Sequence, residues 1–280
     1  MDYLEVRRSM IKERLTDVLE AVEPGELADQ LEHVALSGGK RVRPTVTILT
    51  CETVGGDPED ALDFAAGIEL VHNASLVIDD IIDESAVRRS HESAWAAFGH
   101  GPAVVTSDGL IGEAFALFSP SARAMERVAD AMVQLGEGEA SELVSQPTTE
   151  PEYMDLARRK TGSLFRAAAE LGGIADDEDD PTVDALGRYA ERVGIAFQIR
   201  DDVLDAIADP DDLGKPTGQD VVMERPSLVR ITDLSPSEAN ERAREQADAA
   251  LDALEEVPVA NVTARNYLAD LAEFVVTREH

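Results

Sequence analysis

The sequence predicts an all-α fold: a bundle of roughly a dozen helices around one core, in a single domain spanning residues 1–280. Three observations predict it. Apolar residues recur at helical spacing in segment after segment. Alternation of the strand kind is scarce, and no repeat period stands out. Gly, Pro and Ser clusters separate the segments without a composition shift that would mark a domain boundary.

Residues 2–21 present Leu4, Met10, Ile11, Leu15, Val18 and Leu19 as one apolar set, and Pro24-Gly25 ends that helix. A short helix over 26–36 leads to Ser37-Gly38-Gly39. Pro44 suits the opening of a nearly all-apolar, hence central, helix over 44–54. Gly55-Gly56-Asp57-Pro58 turns the chain into a long helix running to Asp83. Residues 84–90 read as a loop with Arg88-Arg89, and Trp95 and Phe98 pack a short helix before Gly99. Helices follow over 101–117, 121–145 and 152–171, with an acidic linker at 176–180. A helix over 183–206 precedes a polar loop at 207–226, long enough to expect a function of it. Helices over 236–256 and 259–278 close the chain.

The helix ending at Asp83 carries the first chemistry. Asp79 and Asp83 are four apart and share a helix face, and His72 falls on that face about two turns earlier. Carboxylates ending an apolar helix need cations, because an unpaired buried charge is costly. Taken alone, the stretch fits an exposed acidic helix end equally well. A second copy favours the cation: Asp201-Asp202-Val203-Leu204-Asp205, with Gln198 three residues before Asp201. Two such helices face to face would make an open, all-oxygen site suited to Mg²⁺, which keeps waters and is completed by substrate phosphates. Lys40, Arg41, Arg43, Arg88, Arg89, Lys160 and Lys215 are donors suited to phosphate oxygens, and Gly38-Gly39 and Gly214 allow close backbone approach. Metal and many cations in an acidic chain imply a polyanionic ligand. The aliphatic wall between the motifs adds a hydrocarbon part, which together is the shape of a prenyl diphosphate. No nucleophile with its base, no Cys/His cluster and no Walker lysine pattern is present.

Composition excludes other classes. With 57 acidic and 25 basic residues the net charge is −32, which repels nucleic acid and anionic membranes. The acid is spread along the chain, as expected for adaptation to high salt. Lys12, Lys40, Lys160 and Lys215 are the only lysines among 25 basic residues, so three lysines beside glycine-bearing motifs are notable. The single cysteine, Cys51, allows no internal disulfide, as expected in a reducing cytoplasm. The first residues lack a signal pattern and no apolar run has the length of a membrane span, so a cytoplasmic protein without a transmembrane segment is expected.

Gly38-Gly39-Lys40-Arg41-Val42-Arg43-Pro44, His72, Asp79-Asp80-Ile81-Ile82-Asp83, Arg88-Arg89, Lys160-Thr161-Gly162, the Phe197 to Asp205 stretch and Gly214-Lys215-Pro216-Thr217-Gly218 occur in that order. By these pieces the chain resembles the trans-isoprenyl diphosphate synthases of the geranylgeranyl/polyprenyl type over nearly its full length. The resemblance implies a central cavity of the isoprenoid synthase type, a homodimer, and Mg²⁺, three ions per site once substrate is bound. It implies condensation of isopentenyl diphosphate with an allylic diphosphate. Asp79, Asp83 and Asp201 would be metal ligands, supported by Asp80, Asp202 and Asp205. Arg88, Lys160, Gln198 and Lys215 would hold the allylic diphosphate, and Lys40, Arg43, His72 and Arg89 isopentenyl diphosphate. Thr161 would turn its oxygen to the developing cation.

Arg225 stands where many members carry Lys, and Glu139 and Glu142 where they often have Gln and Asp. The family's chain-length positions hold Ala74 and Ser75, both small, so a product of C20 or longer is expected. Two other readings are weaker. A non-catalytic partner subunit commonly loses an Asp motif, and both are intact here. A class I terpene cyclase would carry Asn/Asp with Ser and Glu at wider spacing.

Overall fold

The structure, a computed structural model, describes residues 2–207 and 226–278. Helices α1 (Tyr3–Glu20), α2 (Gly25–Ala35), α3 (Val42–Val54) and α4 (Leu62–Ile82) come first. A hairpin, β1 (Val87–Arg88) and β2 (His91–Glu92), leads to α5 (Ala94–Phe98), α6 (His100–Phe118) and α7 (Ala122–Ala140). Then come α8 (Glu150–Ala157), α9 (Ser163–Ala175), α10 (Asp180–Ile207), α11 (Leu228–Ile231), α12 (Pro236–Glu255) and α13 (Val262–Thr277). The fold is all-α, as the sequence predicts.

Helices α3 and α9 form the centre. Every residue of α3 from Pro44 to Val54 is buried, in keeping with its apolar run. Helix α9 packs on α3, α4, α7 and α10, and α6 covers the other side of α4. The closeness of α3 and α9 depends on Gly172. A Cβ there would lie 2.0 Å from Thr50 Oγ1 and 2.3 Å from the Thr47 carbonyl. Gly172→Ala is therefore expected to cost about 3 kcal/mol, the upper end of overpacking penalties, read as a fall in Tm. Cys51 is fully buried in this centre, and burial pushes its thiol up to about 12, so it acts as a small core side chain.

Several elements differ from expectation for identifiable reasons. Residues 84–90 are not simply a loop: Val87 pairs with Glu92 and Arg88 with His91 in an antiparallel ladder. Arg89 and Ser90 both take positive φ, 51° and 65°, as a two-residue hairpin turn demands, without the Asn-Gly that would have advertised it. Helix α8 starts at Glu150 rather than 152, because Thr149 Oγ1 accepts from the Glu152 amide at 3.4 Å and Pro151 sits in the first turn. The helix expected over 121–145 widens into a π turn at Ser141–Ser145, and the one over 152–171 does so at Arg158–Gly162 before continuing to Ala175. Helix α11 carries no periodic signal and is too short to predict. Lys215 and Arg225 lie outside the described residues.

Candidate active site

A cavity of about 570 Å³ opens between α4 and α10, both of which pack on α9. His72, Ser75, Leu76 and Asp79 of α4 form one wall, and Phe197, Gln198 and Asp201 of α10 the other. Lys40 to Arg43 and the hairpin's Arg88 and Arg89 contribute the rim. Leu135 and Glu139 of α7, the π turn's Lys160 and Thr161, and Leu164 and Phe165 of α9 complete the lining.

The glycine pair before α3 wraps an arginine. Gly39 has φ +109°, and a Cβ there would lie 2.8 Å from the Arg89 guanidinium, so only glycine fits. Arg89 donates to the Gly38 carbonyl at 2.9 Å and to Asn73 Oδ1 at 3.2 Å. Arg41 holds the loop down through buried Glu69 and the Ala35 carbonyl. Arg43 donates to His72 Nε2 at 3.1 Å and lies over the Phe165 ring. Burial lowers Arg43 to about 10 and pushes His72 well below its ordinary value, aided by the surrounding arginines. His72 is thus neutral, while among the described residues Arg43 and Arg89 hydrogen-bond neutral partners and keep their charge for an incoming anion.

A buried chain of hydrogen bonds sets the second wall. Tyr153 donates its hydroxyl to Asp202 Oδ2 at 2.5 Å, as does the Leu228 amide at 3.0 Å. Gln198 Nε2 donates to Asp202 Oδ1 at 3.0 Å, so its carbonyl oxygen is the end that receives the Thr161 hydroxyl at 2.7 Å. With that proton committed, Thr161 offers only lone pairs elsewhere. The π turn brings Thr161 and Lys160 to the cavity together, as such turns often do at functional sites. Lys160 Nζ lies 2.5 Å from Glu142 and 3.2 Å from Glu139.

The structure sorts the six aspartates. Asp79 and Asp201 line the cavity, on opposite walls. Asp83 follows α4 one turn on, its amide bonded to the Asp79 carbonyl. Asp205 is partly exposed one turn beyond Asp201. Asp80 and Asp202 are buried and turned from the cavity. Asp80 accepts from Arg88 Nε and Nη2 at 3.0 and 2.6 Å, so it anchors an arginine, as Asp202 anchors Gln198. The cause is helical geometry, since neighbouring residues point about 100° apart. Ser75 lines the cavity; Ala74 beside it is buried, and its backbone carbonyl accepts from Ser107 Oγ of α6 at 3.2 Å. Sequence reasoning missed Arg278, whose guanidinium donates to Asp201 Oδ1 at 2.5 Å. Burial pushes the Asp201 carboxyl up, opposed by Arg278 and Lys40.

Among the described residues, no three His, Cys, Asp or Glu side chains are close enough to hold an ion by themselves. An all-oxygen donor set divided across an open cavity fits Mg²⁺, which takes one or two carboxylates and fills its octahedron with water and phosphate oxygens.

Glu139 supplies a pH effect. Burial, with Asp79 and Glu142, pushes its carboxyl up to about 7 against the pull of Lys160. Between 4.5, its ordinary value, and about 7 the folded chain holds a proton that the unfolded chain has lost. Stability from this group is therefore present at low pH, falls as pH rises through that window, and is level above it. Glu139→Gln should flatten the fall in Tm across that window and melt above the parent protein at higher pH, as melts over a pH series would record.

The polyprenyl synthetase family matches residues 24–261 of the chain. A short chain isoprenyl diphosphate synthase from Methanothermobacter thermautotrophicus is 34% identical over 253 residues, covering 87% of this chain and 78% of that protein. Geranylgeranyl pyrophosphate synthetase from Pyrococcus horikoshii superposes with a TM-score of 0.89 at 33% identity, over 99% of this chain and 97% of that one. Polyprenyl synthase from Caulobacter crescentus, solved with calcium and isoprenyl diphosphate, does so at 0.88 and 28% identity, over 99% and 96%.

Proposed function

The chain belongs to the polyprenyl synthetase family and is a trans-prenyltransferase, and on that premise we propose that Asp79, Asp83 and Asp201 hold Mg²⁺ while the cavity joins isopentenyl diphosphate to an allylic diphosphate. The product is a prenyl diphosphate of C20 or longer. One observation carries this reading: Asp79 and Asp201 face one cavity from opposite walls, with neutral His72 on the Asp79 wall, Arg43 and Arg89 at the rim and aliphatic side chains inside it.

Bound Mg²⁺ supplies positive charge to the departing diphosphate. Lys160 and Arg88 add fixed donors on the same group, and charge stabilised where it develops lowers the barrier. Lys215, outside the described residues, belongs to the same set by its motif. Arg43, Arg89, Lys40 and His72 orient isopentenyl diphosphate, whose double bond attacks the allylic cation left when the carbon–oxygen bond to diphosphate breaks. Thr161 presents oxygen lone pairs to the cation, its proton held by Gln198. Leu76, Leu135, Leu164 and Phe165 exclude water, and the new double bond forms when a proton passes to the released diphosphate.

Product length is set at Ala74 and Ser75, of which Ser75 lines the cavity and Ala74 is buried beside it. Each isoprene unit needs about one helical turn of depth, ~5 Å. Ser75→Phe should shift the product distribution down by at least one unit, read by chromatography, and Ala74→Phe should in addition cost stability, because Ala74 is buried. A homodimer is part of the reading, supported by the exposed Val104 and Val105 of α6. So is one domain over 1–280 in a salt-adapted cytoplasmic protein, consistent with the net charge of −32 and with no described helix able to cross a membrane. Incubating purified protein with isopentenyl diphosphate, allylic primers and Mg²⁺ in high KCl tests the whole. Chain-elongated products support it, and their absence with every primer contradicts it.

A further inference from the structure

Arg278 follows α13 directly and lies 77 residues from Asp201 in sequence, yet its side chain is only 5% exposed. Three contacts hold it besides the ion pair. Its guanidinium lies 3.9 Å over the Phe197 ring, its Nη2 also donates to the Phe197 carbonyl at 3.2 Å, and its own carbonyl accepts from Arg200 Nε and Nη2 at 3.1 and 2.6 Å. Surface ion pairs leave long side chains loose, but this one is fastened at both ends of the residue. The contact with Asp201 uses a single carboxylate oxygen, Oδ1.

Arg278 is not part of the cavity lining, whereas Asp201 is, with its side chain 47% exposed. The guanidinium therefore grips the carboxylate from behind and does not occupy the place a cation would take. Releasing it would leave a buried positive charge facing an aromatic ring and a carbonyl, which is costly. The pair is built to persist when the site fills.

We propose that Arg278 is the positioning residue of the α10 wall: it fixes the Asp201 carboxylate through Oδ1 so that Oδ2 meets a divalent cation, without touching substrate itself. The proposal rests on the reading of Asp201 as a cation ligand. Residues that orient a metal ligand are typically worth about 10- to 100-fold in affinity. Lysine keeps the charge but lacks the planar fork that stacks on Phe197 while bonding two oxygens.

The test is a titration of the full chain with Mn²⁺ and inorganic diphosphate, without turnover, following free Mn²⁺ by electron paramagnetic resonance. Wild type, Arg278→Met, Arg278→Lys and Asp201→Asn are compared, and each is melted without metal to verify folding. The expected result is Mn²⁺ affinity about 10- to 100-fold weaker in Arg278→Met, intermediate in Arg278→Lys, and weakened in Asp201→Asn. In turnover, the Mg²⁺ concentration for half-maximal rate should rise in Arg278→Met while the product length stays the same. Weak binding in Asp201→Asn beside wild-type or tighter binding in Arg278→Met overturns the role of Arg278 alone. Wild-type binding in Asp201→Asn overturns the underlying reading of that carboxylate, and this proposal with it. If Arg278→Met does not fold, Arg278→Lys decides, and wild-type affinity in it overturns the proposal.

Discussion

Asp79→Asn is expected to lower kcat by about three orders of magnitude at saturating Mg²⁺, the scale of losing a principal electrostatic partner of a leaving group. Asparagine matches aspartate in shape, so the end of α4 keeps its packing and the α4 helix its length. What disappears is a full negative charge on the cavity wall facing Asp201. Half-maximal rate should also require more Mg²⁺. Asp80→Asn is the informative companion. Asp80 is buried and bonded twice to Arg88, so its loss should act through the arginine, raising KM for the allylic diphosphate more than it lowers kcat. Steady-state rates across a Mg²⁺ series separate the two. Equal effects from both substitutions would show that the adjacent carboxylates are interchangeable, contrary to their placement.

Lys160→Met is expected to act on stability and activity together. Lys160 is 15% exposed between Glu142 and Glu139, and methionine would leave two shielded carboxylates without their cation. Breaking such a buried pair from one side costs about 3–5 kcal/mol, which a denaturant or thermal melt reads directly. Adding Glu142→Gln should return much of that stability by removing one orphaned charge. It should not return activity, because the allylic diphosphate has still lost its lysine. Recovery of both in the double variant would mean that Lys160 serves packing only.

Much of this was legible because the chemistry and the periodicity coincide. The apolar run of α3 marked the centre, and the Asp79–Asp83 spacing marked the end of α4, where Asp79 lines the cavity. The Gly38-Gly39 pair signalled a close approach, although its partner is the Arg89 guanidinium. What was not legible depends on side-chain direction or on distant contact. Ala74 and Ser75 are adjacent, and only the rotation of α4 within the bundle puts Ser75 on the cavity lining and buries Ala74. The π turn at Arg158–Gly162 breaks no propensity rule, since its residues are ordinary helix formers apart from Thr161 and Gly162, yet it turns Lys160 toward Glu142. Arg278 had no motif around it, and its partner is 77 positions away. The Thr161–Gln198–Asp202–Tyr153 chain likewise joins three separate segments, and the bonds that link α10 to the π turn and to α8 follow no sequence spacing.

The most direct measurement is a crystal structure with Mg²⁺, isopentenyl diphosphate and an unreactive allylic thiolodiphosphate. Carboxylate oxygens of Asp79, Asp83 and Asp201 should lie about 2.0–2.1 Å from ions that share the diphosphate oxygens, with the hydrocarbon running past Ser75 between Leu135 and Leu164. Ions bound elsewhere, or those three carboxylates turned away from a bound diphosphate, would contradict the assignment of the two walls.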